Sequence, residues 1–174
     1  KDITYTSQYN GDIQVVGTHS NTVGPFGNQV TTHWGTIANY NSSGRIEWQK
    51  AMIPPNSGDT LWYNKVKTDS LGNKYVLGSF YTVTPSFSNK VLLIKYNSSG
   101  DLLWQRDYGN EELLYTGGLD FELDSSDNVY ITGYRQYVAT DTYKYNSNIL
   151  VKIDSSGNLI WQKGLKNDNF EVDE

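Results

Sequence analysis

The sequence predicts an all-β chain made of three copies of one four-stranded antiparallel unit, and three observations predict it. A twelve-residue pattern recurs without gaps at 39–50 (NYNSSGRIEWQK), 95–106 (KYNSSGDLLWQR) and 152–163 (KIDSSGNLIWQK). Its glycine falls at Gly44, Gly100 and Gly157, a period of 56 to 57 residues. A second landmark recurs in the same phase at 12–17 (DIQVVG), 73–78 (NKYVLG) and 128–133 (NVYITG). Finally, helical periodicity is sustained nowhere, while Tyr, Thr, Val and Ile runs alternate with Gly, Asn and Ser clusters, the composition of short strands and tight turns. A fixed period of this size marks propellers or arrays. The expected architecture is a β-propeller-type array of three four-stranded antiparallel blades. A closed ring typically needs ~4–8 blades, so three imply a partial propeller or a ring closed by oligomerisation.

Each element follows from local chemistry. In every unit a first strand leads through a turn into the second landmark strand. A variable connection then leads to an apolar third strand (TIA at 36–38, VLLI at 91–94, ILV at 149–151). For the middle unit the four strands are expected near 63–69, 73–81, 90–97 and 101–108. Between third and fourth strands, the Asn or Asp of Asn/Asp-Ser-Ser-Gly can bond back to the backbone of a type I turn. Gly then takes the left-handed position that closes a bulged hairpin. On the fourth strands Trp48, Trp104 and Trp161 recur two residues beyond Ile46, Leu102 and Leu159, on the same face. A large flat ring repeated in every unit suits a wedge between neighbouring sheets, and burial between sheets is expected. The blades span approximately 1–52, 53–108 and 109–165, with 166–174 as a tail or the start of a further connection. The chain opens at Lys1 without a visible signal peptide and ends just after a fourth strand, which reads as a processed product or a segment cut at blade boundaries.

Composition narrows the partners. Lys and Arg total 14 against 19 Asp and Glu, a net charge of −5, which lacks the basic footprint of a nucleic-acid binder. No run approaches the ~20 apolar residues of a spanning helix, so membrane insertion is not expected. Cysteine is absent, which excludes disulfides and thiolate metal sites.

The Gly-x-x-x-Trp spacing of Gly44/Trp48, Gly100/Trp104 and Gly157/Trp161 resembles the tryptophan-docking motif of quinoprotein-like propellers. The whole unit is similar to the β-propeller repeats of secreted bacterial proteins and phage structural proteins. The resemblance covers nearly all of the chain and implies a propeller fold on an extracellular or virion surface. Propellers host unrelated activities, so it implies little about function. A quinoprotein dehydrogenase would add a quinone cofactor and calcium, often with adjacent cysteines. With no cysteine and no matching ligand set, no cofactor is expected.

Among candidate site residues, His19 and His33 could approach each other across one hairpin, but no third metal ligand accompanies them. No Gly-x-Ser-x-Gly elbow anchors a catalytic serine, and no catalytic residue is assigned. The segments 124–128 (DSSDN) and 154–158 (DSSGN) faintly resemble calcium loops but lack the remaining oxygen ligands, and turn capping explains them better. Glu111, Glu112 and the acids of 171–174 read as solvated charge. Asn41 and Asn97 match glycosylation acceptors but double as hairpin turns. The aromatics that break the repeat are Phe26, Trp34, Trp62, Phe87, Tyr115, Tyr137 and Tyr143, placed in or beside the variable connections, where binding usually resides. Trp34, Trp62, Tyr115 and Tyr137 are the candidate ligand-binding residues. The expected function is a non-enzymatic module, a scaffold or a surface that recognises a glycan or protein, with other blades or copies of itself as partners. The alternative is a fragment of a quinoprotein-like or glycan-processing enzyme whose catalytic groups lie on absent blades.

Overall fold

The computed structural model describes residues 2–5, 11–27, 29–83, 88–108, 115–140 and 143–165, with side chains described for all but 2–5, 88, 115, 116, 135–140, 143–146 and 165. The described residues are all-β and contain no helix. The first unit comprises β1 (Asp2–Tyr5), β2 (Ile13–Val23), β3 (Val30–Tyr40) and β4 (Ile46–Met52). The second comprises β5 (Thr60–Thr68), β6 (Lys74–Thr82), β7 (Ser88–Tyr96) and β8 (Leu102–Tyr108). The third comprises β9 (Tyr115–Leu123), β10 (Val129–Thr140), β11 (Tyr143–Ile153) and β12 (Leu159–Leu165). Within each unit every strand pairs antiparallel with the next.

Among the described residues the hydrogen-bonded sheets number two rather than the expected three. A single parallel bridge, His33 to Thr60, joins β3 to β5 and merges the first two units into one eight-stranded sheet. The third unit stays a separate four-stranded sheet. One bridged pair is a small link beside the four to eleven pairs that join successive strands within these two units, so each unit keeps its own ladder.

The turns obey the expected chemistry. Asn41 Oδ1 accepts from the Ser43 and Arg45 amides, and Asp154 Oδ1 accepts from those of Ser156 and Asn158. The same pattern closes the turns between first and second strands, at Asp69 and Asp124. The closing glycines of the Ser-Ser-Gly turns have φ of 79°, 84° and 87° at Gly44, Gly100 and Gly157, where a Cβ would be strained.

Alternation along the strands gives every unit two working faces. Val66, Val76, Leu92, Ile94 and Tyr96 of the second unit pack on Val16 and Ile37 of the first. On the opposite face, Tyr75, Leu77, Val91 and Leu93 pack on Phe121, Ile131, Val151 and Ile153 of the third. The middle unit is therefore covered on both sides, and its second and third strands read as continuous apolar runs for that reason. Aligned positions point the same way throughout. Ile37, Leu93 and Leu150 face forward along the chain, while Ala38, Ile94 and Val151 face back.

The second strands carry a glycine whose role is steric. The register of the first strand slips by one residue at Asn64 opposite Gly78, and at Leu119 opposite Gly133. Each bulge presses backbone against the glycine, so that a Cβ on Gly78 would lie 2.3 Å from the Trp62 carbonyl oxygen, and one on Gly133 would lie 2.1 Å from that of Gly117.

Candidate functional site

The fourth-strand tryptophans Trp48 and Trp104 sit against the turn of the following unit. Seen from the turns, a Cβ on Gly100 would lie 2.6 Å from the Trp48 ring, and a Cβ on Gly157 would lie 3.2 Å from that of Trp104. Trp48 Nε1 donates to the Ser98 carbonyl at 3.0 Å, and the Trp48 ring tilts against Tyr96. Tyr108, four residues beyond Trp104, donates its hydroxyl to the Gly157 carbonyl at 2.9 Å. The expectation that these rings are buried between sheets is corrected here. Trp48, Trp104 and Trp161 are half-buried; the Trp48 and Trp104 rings lie across the rim of a turn rather than in the apolar centre of the interface.

A polar latch accompanies the second docking. Lys95 Nζ pairs with Asp69 at 3.2 Å, with both side chains buried, and donates to the Tyr75 hydroxyl at 2.7 Å. It also reaches across to the Ser155 carbonyl of the third unit at 3.4 Å. Burial pushes the Tyr75 hydroxyl well above its ordinary pKa, which keeps it a neutral partner for the ammonium. In the first unit Gln14 and Asn39 occupy the corresponding positions, with Gln14 Nε2 donating to Asn39 Oδ1 at 2.8 Å, and Thr68 of the second unit donates to Gln14. Along the first strands, Lys65 and Lys67 pair with Asp120 and Glu122 of the third unit at 3.3 and 2.6 Å. These ion pairs are solvent-exposed and contribute ~1 kcal/mol or less each.

The free face of the first unit holds a cleft of about 550 Å³ lined by Val15, His19, Trp34, Thr36, Ala38 and Tyr40 among others. Its aromatic wall is a cross-strand pair: His19 stands opposite Trp34 in the β2–β3 ladder, with ring centroids 6.2 Å apart and planes 16° from parallel. Trp34 thus lies within β3, not in a connection. Trp62 likewise lies within β5 and is 37% exposed, with the His33 ring 5.9 Å away. The two tryptophans do not converge. The two histidines do not converge either, since His33 adjoins Trp34 in one strand and points to the opposite face. Among the described residues no group of three His, Asp or Glu could hold a metal ion.

The side chains of Tyr115, Tyr137 and Tyr143 lie outside the described residues, as do Phe87, Glu111, Glu112 and 171–174. Phe26 is fully exposed at the tip of the β2–β3 hairpin. The acidic loops at 124–128 and 154–158 are turns whose carboxylates are already engaged. Hydrogen bonds from the Asn128 side chain and amide hold Asp124 below the usual carboxylate range, and those from Asn158 do the same for Asp154. No protein-family model and no curated protein matches the chain.

Proposed function

We propose that the chain is three blades of a β-propeller, approximately 1–52, 53–108 and 109–165, and that it serves as a non-enzymatic scaffold in an extracellular or phage structural protein. The observation that carries the reading is the docking of Trp48 on the Gly100 turn and of Trp104 on the Gly157 turn, in the same sense at both junctions. Repetition of one contact between successive four-stranded meanders is the economy of an array. Tyr, Lys and Asp side chains that would read as chemistry in isolation, such as Tyr75, Lys95 and Asp69, are absorbed into that contact. Hydrogen exchange on the intact chain tests the stacking. The amides of β6 and β7, covered on both faces, are expected to exchange most slowly, and those of β2 and β11 faster. Equal protection in all three units would sink the stacked arrangement.

The His19–Trp34 cleft favours a second reading, surface recognition of a glycan or protein. A flat indole beside polar Thr36 and Tyr40 suits the apolar face of a neutral sugar ring. Titration with neutral oligosaccharides, followed by tryptophan fluorescence, decides between the two. The scaffold reading expects no saturable change, whereas a saturable change abolished by Trp34→Ala establishes recognition.

A further inference from the structure

Among the described residues, the two end faces carry the two unmatched halves of the internal docking contact. At the internal junctions the turn glycines Gly100 and Gly157 are buried under Trp48 and Trp104. Gly44, in the aligned turn of the first unit, is exposed and has open space where a Cβ would stand. At the other end, among the described residues, no turn glycine lies against Trp161. Yet the third unit rebuilds the Trp, Tyr, Lys and Asp of the donor side. Trp161 meets Tyr130 edge-on at 6.2 Å, as Trp104 meets Tyr75 at 5.8 Å. Lys152 lies 4.9 Å from the Tyr130 ring centroid and 4.0 Å from Asp124, repeating the Lys95–Tyr75–Asp69 latch. The face around Gly44 is the half-buried apolar one, with Val15, Ala38 and Tyr40 at the positions of buried Val76, Ile94 and Tyr96.

The geometry points to head-to-tail association with a second copy of this chain, in which Trp161, Tyr130 and Lys152 of one copy seat on the Asn41–Gly44 turn of the other. The Ser42 carbonyl would receive the bonds that the Ser98 and Ser155 carbonyls receive from Trp48 and Lys95 inside the chain. The inference rests on the blade reading and extends its contact between chains. A heterologous contact either closes or propagates. Two copies place six four-stranded units in one closed cycle, within the range of propeller rings. Thr132 and Asn148 stand on the donor face where Leu77 and Val91 stand at the internal junction, and both are exposed. The contact between copies is therefore less apolar than the internal one and is expected to be a concentration-dependent equilibrium.

Sedimentation of the full 174-residue chain from low micromolar to near-millimolar concentration tests this. Wild type is expected to shift from one copy to two. Trp161→Ala, or Lys152→Glu as a second donor-side change, should weaken association roughly tenfold or more, as should Ala38→Arg on the acceptor side. At concentrations where wild type is one copy, each variant should melt close to it, because the substituted faces cover no neighbouring unit within their own chain. Mixing Trp161→Ala with Ala38→Arg should give an open one-to-one dimer held by one intact contact, weaker than the doubly joined wild type but stronger than either variant alone. A wild type that stays monomeric throughout overturns the inference, as does association that Trp161→Ala and Ala38→Arg both leave unchanged. Either result leaves the internal docking intact as long as Trp104→Ala still destabilises the chain; loss of that effect is what would fell the blade reading itself.

Discussion

Trp104→Ala is expected to lower the stability of the chain by about 3 kcal/mol, the lower end of the range for truncating a large packed aromatic because the ring is half-buried. The indole covers the Gly157 turn on one side and meets Tyr75 at 5.8 Å on the other. Its loss opens a void at the rim of the core formed by Leu77, Leu93 and Val151. It also admits water to the buried Lys95–Asp69 pair. For a domain of this size the change corresponds to a fall of about 6–12 °C in Tm. Trp62→Ala should cost about 1 kcal/mol or less, since that ring is more exposed and its ring neighbour is a single histidine. Urea unfolding of the two variants side by side is the measurement. Equal losses would mean that the repeated tryptophan holds nothing the irregular one does not.

Gly133→Ala should destabilise by roughly 2–3 kcal/mol, against the direction such a change takes at an ordinary strand position. Elsewhere in a strand a methyl group narrows the unfolded ensemble and gains up to ~1 kcal/mol. Here the added carbon would sit 2.1 Å from the Gly117 carbonyl oxygen. Backbone cannot swing aside as a side chain can, so β9 and β10 must part at the bulge, and overpacking of that kind carries the cost. Gly78→Ala should behave alike, because the Trp62 carbonyl oxygen occupies the same place at 2.3 Å. A Tm unchanged or raised in Gly133→Ala would show that the bulge does not press on the strand.

Much of the fold was legible because its signals are local. The Asn/Asp-Ser-Ser-Gly turns, the period and the middle-unit strands at 63–69, 73–81, 90–97 and 101–108 lie within a few residues of β5 to β8. Trp62 reads as lying beside a connection because the first strand of its unit is expected from 63, whereas β5 begins at Thr60; Trp34 reads so because β2 and β3 run on as a long hairpin. Its outer part, rich in Thr, His, Ser and Asn, lacks the apolar alternation that marks a strand. The separation of His19 from His33 depends on register, and a strand shifted by one residue would reverse it. The partner of each docking tryptophan was not legible at all. Trp48 meets a carbonyl fifty residues ahead, at Ser98, and only packing of one sheet on the next brings them together.

That spacing has a consequence for biosynthesis. The bonds between successive units join residues 48 and 98, 65 and 120, 67 and 122, 70 and 127, and 95 and 155. None spans much more than one repeat. As the chain leaves the ribosome, each new meander therefore meets a completed template, and the loop to be closed is the same length at every step. Duplication of one 56- or 57-residue stretch would insert a further unit that carries both halves of the contact. Growth by whole repeats is thus open to this chain with no invention of a new interface.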